Sequence, residues 1–199
     1  MKKVKLMVAV LGCSLWSAQL LGQPARFTNQ TEFGLLQGKG AFKQGGSFTL
    51  QTFNGIRLNE FAEVGGTVGL DAYPDITLVP LAFGWRGVIP AGNVSPFLAM
   101  DVGYAFDWLK KETEISWYSG GLMFNPSIGV RIRSKKTDRF LLAVGYKRQQ
   151  YSHYEGRLLS GGFAVVPETE RSALPPGFEF LQRDDYILQR LSIRVGVMF

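Results

Sequence analysis

The sequence predicts an all-β fold, an eight-stranded antiparallel transmembrane β-barrel, and three observations support that prediction. Eight stretches alternate apolar residues with small or polar residues at a period of two, which gives each strand one apolar face. Several stretches are about 10–14 residues long, whereas strands of globular proteins have about 5–6 residues and membrane-spanning strands need about 9–11. Short and long connections also alternate along the chain, as is typical of membrane barrels.

The chain of 199 residues is long enough for one domain preceded by an export signal. Residues 1–23 combine a basic start at Lys2, Lys3 and Lys5 with an apolar stretch and a smaller, more polar end. This anatomy predicts a secretory signal peptide without a clean cleavage motif, and residues 24–199 then form the barrel domain. Without those three lysines the net charge falls from +6 to +3, which is too weak to predict a nucleic-acid partner.

The single cysteine, Cys13, lies within this segment. If the segment is removed, the mature chain has no cysteine and therefore no disulfide. The residues VLGC at 10–13 also resemble a lipoprotein cleavage box, in which Cys13 would carry a lipid. The apolar stretch before Cys13 is short and continues past it to Leu21, which favours an ordinary signal peptide.

The strand pattern is clearest in the second half of the chain. Aliphatic and aromatic side chains share one face, with Gly, Ala, Ser, Asp or Arg on the other, in residues 94–108, 121–133, 139–147 and 186–199. The pattern is less regular in residues 30–40, 47–58, 61–73 and 76–87. Small and polar residues fit the narrow interior of an eight-stranded barrel, whereas alternation alone also suits a soluble sandwich or a lipocalin.

The connection lengths favour the membrane barrel over the soluble folds. The turns after the second, fourth and sixth strands are short, namely LNE, VIPAG and SKKTD. The connections after the fifth and seventh strands are longer, and the last is predicted to cover about residues 152–185. Short turns on one side and long loops on the other are the pattern of bacterial membrane barrels, and an even strand count returns the C-terminus to the side of the N-terminus.

The last ten residues, RLSIRVGVMF, alternate without interruption to the aromatic Phe199. In this respect the chain resembles the small, eight-stranded outer-membrane β-barrel proteins of Gram-negative bacteria, whose last strand ends in an aromatic residue. The segments VSPFLAMDVGYAF and FNPSIGVRIR also look like recurring phrases of that family. The chain departs from the family pattern at Arg194, where a glycine is frequent. The resemblance covers residues 27–199 and is specific for the fold rather than for an activity.

The resemblance implies a location and a set of partners. It places the protein in the outer membrane of the cell envelope as a monomer, surrounded by outer-membrane lipid. It also implies that the barrel-assembly machinery recognises Phe199 during insertion, as an assembly signal. Closure of such a barrel pairs the last strand with the first and leaves no open edge, which explains why the alternation continues to the final residue.

The apolar face of the strands is predicted to contact lipid. The side chains expected to do so are Leu98, Met100, Val102, Leu142, Val144, Ile193 and Val195. Amphipathic aromatic rings settle near the boundary of a bilayer. An aromatic belt is therefore expected from Tyr104, Trp108, Trp117, Tyr118, Tyr151 and Tyr186.

The opposite face predicts an ion-pair network inside the barrel. Strands that run toward the termini carry Arg57, Arg86, Arg131, Arg133, Arg190 and Arg194, and strands that run away from them carry Glu32, Glu63, Asp71 and Asp101. Strand neighbourhood predicts that Arg57 reaches Glu32 or Glu63, that Arg86 reaches Glu63, and that closure brings Arg194 to Glu32. Lys147 also has inward parity. The alternative is a set of unrelated charges, each hydrated separately.

Candidates for metal binding and catalysis are few. His153 is the only histidine, so no zinc site and no cofactor are predicted. Glu179, Asp184 and Asp185 offer carboxylates for calcium, but solvated loop charges are the simpler interpretation.

Hydrolysis of outer-membrane lipid is the catalytic alternative, with His153 as its candidate base. In the segment YSHYEG, Ser152 and His153 are adjacent and point to opposite faces of a strand, so another serine would be required. Glu155 has the same parity as His153 and could orient it. A lone histidine has little specificity, and the sequence favours no enzyme.

The function predicted from these observations is structural or adhesive. The barrel is expected to have a filled, non-conducting interior and to act through its extracellular loops. Two alternatives remain at this point: a lipid-modifying hydrolase that uses His153, and a soluble exported barrel that binds lipid. The sequence names no extracellular ligand.

Overall fold

The computed structural model describes residues 26–38, 47–74, 76–108, 113, 115–134, 138–158 and 178–199. The predicted signal peptide and Cys13 lie outside the described residues. The eight strands are β1 (Arg26–Gln37), β2 (Ser47–Arg57), β3 (Ala62–Ala72), β4 (Thr77–Val88), β5 (Val94–Trp108), β6 (Ser116–Ser134), β7 (Asp138–Leu158) and β8 (Phe178–Met198). Within the described part of the chain, no helix is long and apolar enough to cross a membrane.

The strands form a closed antiparallel barrel in sequence order, which confirms the predicted fold. Closure pairs β1 with β8 from Gln30 opposite Met198 to Gln37 opposite Leu191. Phe199 continues this ladder, because its amide donates to the carbonyl of Asn29 (3.0 Å) and its carbonyl accepts from the amide of Asn29 (3.3 Å). The final residue is therefore part of the wall.

The two ends of the barrel differ. The end that holds Arg26, Phe199 and the connections 58–61 and 89–93 is called the terminal rim, and the opposite end is called the loop rim. The first four strands have 11 or 12 residues, whereas β6, β7 and β8 have 19, 21 and 21. The three long strands therefore form a sheet that extends beyond the rest of the wall at the loop rim, called the extended sheet below.

This extension corrects the predicted strand ends. The bounds 152–185 predicted for the last connection are wrong, because β7 and β8 remain paired up to Leu158 opposite Phe178. The reason is visible in the segments YSHYEG and QRDDY. There the outward face changes from aliphatic to polar and aromatic residues, so the membrane-strand pattern stops while the backbone ladder continues.

The outward face of the wall is apolar over the barrel proper. All seven residues predicted to face lipid point outward, with exposed fractions from 38% for Met100 to 54% for Val195. Phe33, Leu50, Phe83 and Leu122 extend the same surface around other strands. A continuous apolar surface of this kind requires an apolar partner, and a lipid-facing band is its ordinary explanation in a closed barrel.

Many inward-facing side chains are buried in the interior. Toward the terminal rim lies an apolar cluster of Phe97, Ala99, Leu141, Ala143 and Met198. Toward the loop rim lies a second apolar cluster, formed by Leu36, Tyr73, Ile76, Leu78, Ala105, Met123, Tyr151 and Leu188. Buried charged and amide side chains lie between and beside these clusters.

Candidate functional site: the charged interior and the extended sheet

Glu63 holds a contact that crosses the barrel. Two nitrogens of Arg131 bind its two carboxylate oxygens at 2.8 and 3.1 Å, and Arg57 binds one of the same oxygens at 2.9 and 3.1 Å. Arg131 lies on β6 and Glu63 on β3, which are not neighbours in the barrel. Such bidentate, charge-assisted contacts are short and directional, so they connect opposite walls.

Arg194 forms a second connection across the interior. Its Nε lies 2.7 Å from Glu32 Oε2, where closure brings β8 beside β1. Its two terminal nitrogens donate to Asn125 Oδ1 at 3.1 Å and to Ser127 Oγ at 2.8 Å, both on β6. One guanidinium thus connects the closing seam to the far wall.

Arg86 binds Asp101 rather than Glu63. The predicted contact with Glu63 is wrong although the two residues face each other in the register of β3 and β4. Arg86 Nη1 lies 2.8 Å from Asp101 Oδ1 with both side chains fully buried, and its guanidinium lies 4.3 Å from the centre of the Phe53 ring. Glu63 already binds two other arginines, whereas Asp101 would otherwise be a buried charge without a cationic partner among the described residues.

The part of the interior toward the loop rim, called the upper interior below, holds one further ion pair and one arginine without a carboxylate partner among the described residues. Lys147 Nζ lies 2.5 Å from Asp71 Oδ2, and Thr49 donates to the other oxygen of Asp71 at 2.6 Å. Arg190 is buried but has no carboxylate within ion-pair distance among the described residues. Its predicted place in an ion pair is therefore not found in the described structure.

Arg133 also lies apart from the interior pairs. Its side chain is exposed and lines a cavity of 210 Å³ at the terminal rim, together with Arg57, Glu60 and Arg131. Its amide donates to the carbonyl of Asn93 at 2.8 Å. Its parity is inward as predicted, but β6 reaches the rim at that point, so the side chain meets solvent and forms no ion pair within the described part of the chain.

Several polar residues that complete the interior were not predicted from the sequence. Asn125 donates to Asp101 Oδ2 at 3.1 Å, Gln30 accepts from Arg131 at 3.2 Å, and Thr67 donates to Asp101 at 2.7 Å. All three occupy inward positions of their strands and are buried. Strand parity was the signal available for them, and attention to charges alone missed it.

The extended sheet carries aromatic stacks on both faces. On the face that continues the interior, Tyr118 stacks on His153 with ring centres 4.3 Å apart, and Tyr151 stacks on Tyr186 at 4.9 Å. The predicted aromatic belt is therefore wrong for these three tyrosines. The polar upper segments of β6, β7 and β8 keep the alternation of the wall, and that parity turns the three rings inward rather than toward lipid.

Other members of the predicted belt do point outward. Tyr104 is exposed and its hydroxyl donates to the carbonyl of Gly120 at 2.5 Å. Trp117 stacks on Tyr154 at 5.4 Å with nearly parallel planes, and the guanidinium of Arg183 lies 5.6 Å from the Tyr154 ring. The side chain of Trp108 lies outside the described residues.

A polar cluster accompanies the outer stack. Ser152 donates to Asp185 at 2.5 Å, and Arg183 Nε donates to the same oxygen at 2.8 Å. The hydrogen bond from Ser152, followed by the interaction with Arg183, holds the pKa of the Asp185 carboxyl below its ordinary value. Asp185 therefore stays ionised across the physiological pH range.

His153 has a serine partner, but the described contacts do not form a catalytic triad. Ser116 Oγ lies 3.0 Å from His153 Nε2, and Glu155 Oε1 lies 3.9 Å from that same nitrogen. A triad requires the carboxylate on the other ring nitrogen, where it fixes the tautomer. Ser152 points to the opposite face, as the strand alternation predicts, and binds Asp185 instead.

The carboxylates considered for calcium are separated by the strand. Asp184 and Asp185 are adjacent on β8 and so point to opposite faces, and Glu179 pairs with Arg157 at 3.2 Å. Among the described residues no group of three metal-ligating side chains comes together.

Comparison with solved structures shows which fold this is. Neisserial surface protein A is 14% identical, with a TM-score of 0.52 over 88% of this chain and 98% of that one. The outer-membrane protein OprG from Pseudomonas aeruginosa is 11% identical, with a TM-score of 0.56 over 89% of this chain and 98% of that one. The chain has the fold of these two barrels. No protein-family model matches the sequence, and no curated protein matches it significantly.

Proposed function

We propose that the protein is an integral outer-membrane barrel whose interior is closed to passage and whose function lies in the surface that it shows outside the membrane. The observation that carries this proposal is the contact of Arg131 with Glu63, which crosses the interior between β6 and β3. Eight strands enclose a space that side chains just fill. The buried charged residues and the two apolar clusters support this proposal, because they take up space inside the barrel.

The lipid environment is supported by the apolar band. Leu98, Val102 and Val144 expose 43–48% of their side chains on the outside of the barrel, whereas a soluble lipid-binding barrel would keep its apolar face inside. The fold shared with OprG supports the same location. In this environment the protein is a monomer with outer-membrane lipid as its permanent partner, and the barrel-assembly machinery acts on it during insertion.

The adhesive or structural role is supported by the extended sheet. Its outer face presents a polar cluster of Ser152, Arg183 and Asp185 beside the stacked Trp117 and Tyr154. This surface projects beyond the four shorter strands. Rigid aromatic side chains with charged neighbours are common in protein contact surfaces, and the extension places them where an extracellular partner reaches them first.

Planar-bilayer conductance tests the closed interior. The native protein is expected to give no steady channel, because the interior side chains leave no continuous water path. The double variant Arg131→Ala, Arg194→Ala removes both cross-barrel guanidinium groups and is expected to conduct measurably more, while Glu60→Gln in an exposed turn serves as the control. Steady single-channel steps from the native protein would reject the proposal.

A further inference from the structure

Arg190 is a buried cation that has no carboxylate partner among the described residues. Its side chain is 1% exposed on the inward face of β8. Nη1 donates to the carbonyl of Gly38, the residue that follows β1 at the loop rim, and the guanidinium lies 5.8 Å from the centre of the Tyr73 ring. Within the described residues, its Nε and Nη2 have no hydrogen-bond partner.

The two unpartnered nitrogens form one edge of the guanidinium. Nε and Nη2 project their N–H groups side by side, in the fork that matches the two oxygens of a carboxylate or a phosphate. The other interior arginines direct such groups at protein acceptors: Arg131 binds both oxygens of Glu63, and Arg194 reaches Glu32, Asn125 and Ser127. Arg190 differs from them because both nitrogens of this edge lack a hydrogen-bond partner among the described residues.

The groups around Arg190 include a second cation and a further hydrogen-bond donor. Lys147 lies directly opposite Arg190 in the register of β7 and β8, and the nearby Asp71 already binds Lys147 and Thr49. Gln149, the next inward residue of β7, accepts from Tyr73 at 2.9 Å through its oxygen. Its amide nitrogen is buried and has no partner among the described residues.

A buried charge without a counter-ion is costly, and buried donors in native proteins almost always have partners. We propose that Arg190 is the anchor of an oxyanion site in the upper interior, which binds a carboxylate or phosphate group that enters from the loop rim. The Nε and Nη2 fork holds two oxygens of the anion, and the Gln149 amide contributes a further donor. This site goes beyond the closed barrel proposed above, because it gives the interior a ligand.

The test uses the mature full-length protein in a zwitterionic detergent at constant ionic strength. Inorganic phosphate and acetate, each titrated against chloride, are the probes, and the thermal unfolding midpoint is the readout. A saturable rise of the midpoint is expected in the native protein with phosphate, acetate or both, and the pair shows which oxyanion fits. Arg190→Lys keeps the charge but not the fork, and it is expected to weaken the apparent affinity at least tenfold. Arg133→Gln, at the opposite rim, should leave the affinity unchanged.

A second readout remains informative if Arg190→Lys folds poorly. The Nε–H resonance of Arg190 in the native protein should shift with phosphate or acetate and follow the same saturation curve. Two results would overturn the proposal: no saturable rise in the native protein, or an equal rise in Arg190→Lys.

Discussion

At the scale of single residues, Glu63 is the carboxylate on which two arginines converge. Arg131 is 2% exposed and Arg57 27%, so Arg131 depends on Glu63 for its counter-charge. Glu63→Gln keeps the side-chain size but leaves Arg131 buried and unpaired, which typically costs about 3–5 kcal/mol. A loss near the lower value is expected in urea unfolding of the lipid-reconstituted protein.

Glu60→Gln provides the matched control for Glu63→Gln. Glu60 lies in the connection that precedes β3 at the terminal rim and is exposed, so its change should stay within about 0.5 kcal/mol. If Glu63→Gln were equally mild, the interior charges would be hydrated one by one rather than paired across the barrel.

Gly84 makes room for the Arg86–Asp101 pair. A Cβ at this position would lie 2.8 Å from Asp101 Oδ1, 2.8 Å from Thr67 Oγ1 and 2.9 Å from the Phe53 ring. Gly84→Ala should therefore destabilise the barrel by about 1–3 kcal/mol, the usual cost of overpacking. A Cβ on Gly66 would meet nothing within 4 Å, so Gly66→Ala should be neutral or stabilising in the same unfolding measurement. Equal effects would indicate a backbone cause.

Residue identities that depend on three-dimensional contact were the hardest to predict. Strand parity correctly placed Arg86 inside, but its choice of Asp101 depends on the space that Gly84 leaves and on the prior occupation of Glu63. Parity also placed Arg190 inside, without showing that no carboxylate among the described residues pairs with it. Alternation fixes a face, whereas a pairing depends on the angle at which long side chains cross the interior.

At the scale of elements, the sequence predicted the membrane-facing parts of the strands best. The fifth strand was predicted at residues 94–108, and β5 is Val94–Trp108. The ends of β6, β7 and β8 beyond the loop rim were missed, because aliphatic alternation reports contact with lipid rather than the presence of a ladder. Ser152 on β7 pairs with Asp185 on β8, although neither is a residue typical of a lipid-facing position.

The β5 strand allows a test of the lipid band along one face. Val102 lies near the middle of β5 and points outward with 48% of its side chain exposed. Val102→Arg should cost about 2–4 kcal/mol in lipid, because a charge at the bilayer midplane is expensive. Val94, on the same face at the terminal rim, should tolerate arginine at about 0–1 kcal/mol. If Val94→Arg cost more than Val102→Arg, the lipid-facing band would be centred nearer the terminal rim than proposed.

The last strand separates assembly from stability. The backbone of Phe199 is paired with Asn29, but its ring is 78% exposed and contributes little to packing within the barrel. Phe199→Ala keeps both backbone hydrogen bonds, so refolding into detergent should be nearly unchanged, while insertion in cells should fall severalfold. Val197→Ala, on the same outward face, serves as the control for insertion. If Phe199→Ala reduced refolding and insertion equally, the ring would contribute to ordinary packing and not to an assembly signal.

At the scale of the whole molecule, closure and strand count were predictable because they are properties of the entire pattern. Eight alternating stretches that end on the final residue imply a wall without an edge. The extension of β6–β8 beyond the other strands at the loop rim was not predictable in the same way. The strands β6–β8 are longer than β1–β4, because polar residues continue the strand pairing above the loop rim. A search for apolar alternation does not detect this pairing.

The last prediction concerns which rim of the barrel faces the outside of the cell. Cys13 is the only native cysteine and lies in the predicted signal segment, so single engineered cysteines report on one site each. Thr113 is exposed at the loop rim and Asn59 at the terminal rim. A membrane-impermeant maleimide should label Thr113→Cys in intact cells, because the proposed orientation turns the loop rim toward the outside of the cell. Asn59→Cys should react after the outer membrane is permeabilised, and the parent protein should stay unlabelled. The reverse order would invert the barrel and place the extended sheet in the periplasm, while equal labelling of both variants in a soluble fraction would identify an exported soluble barrel instead.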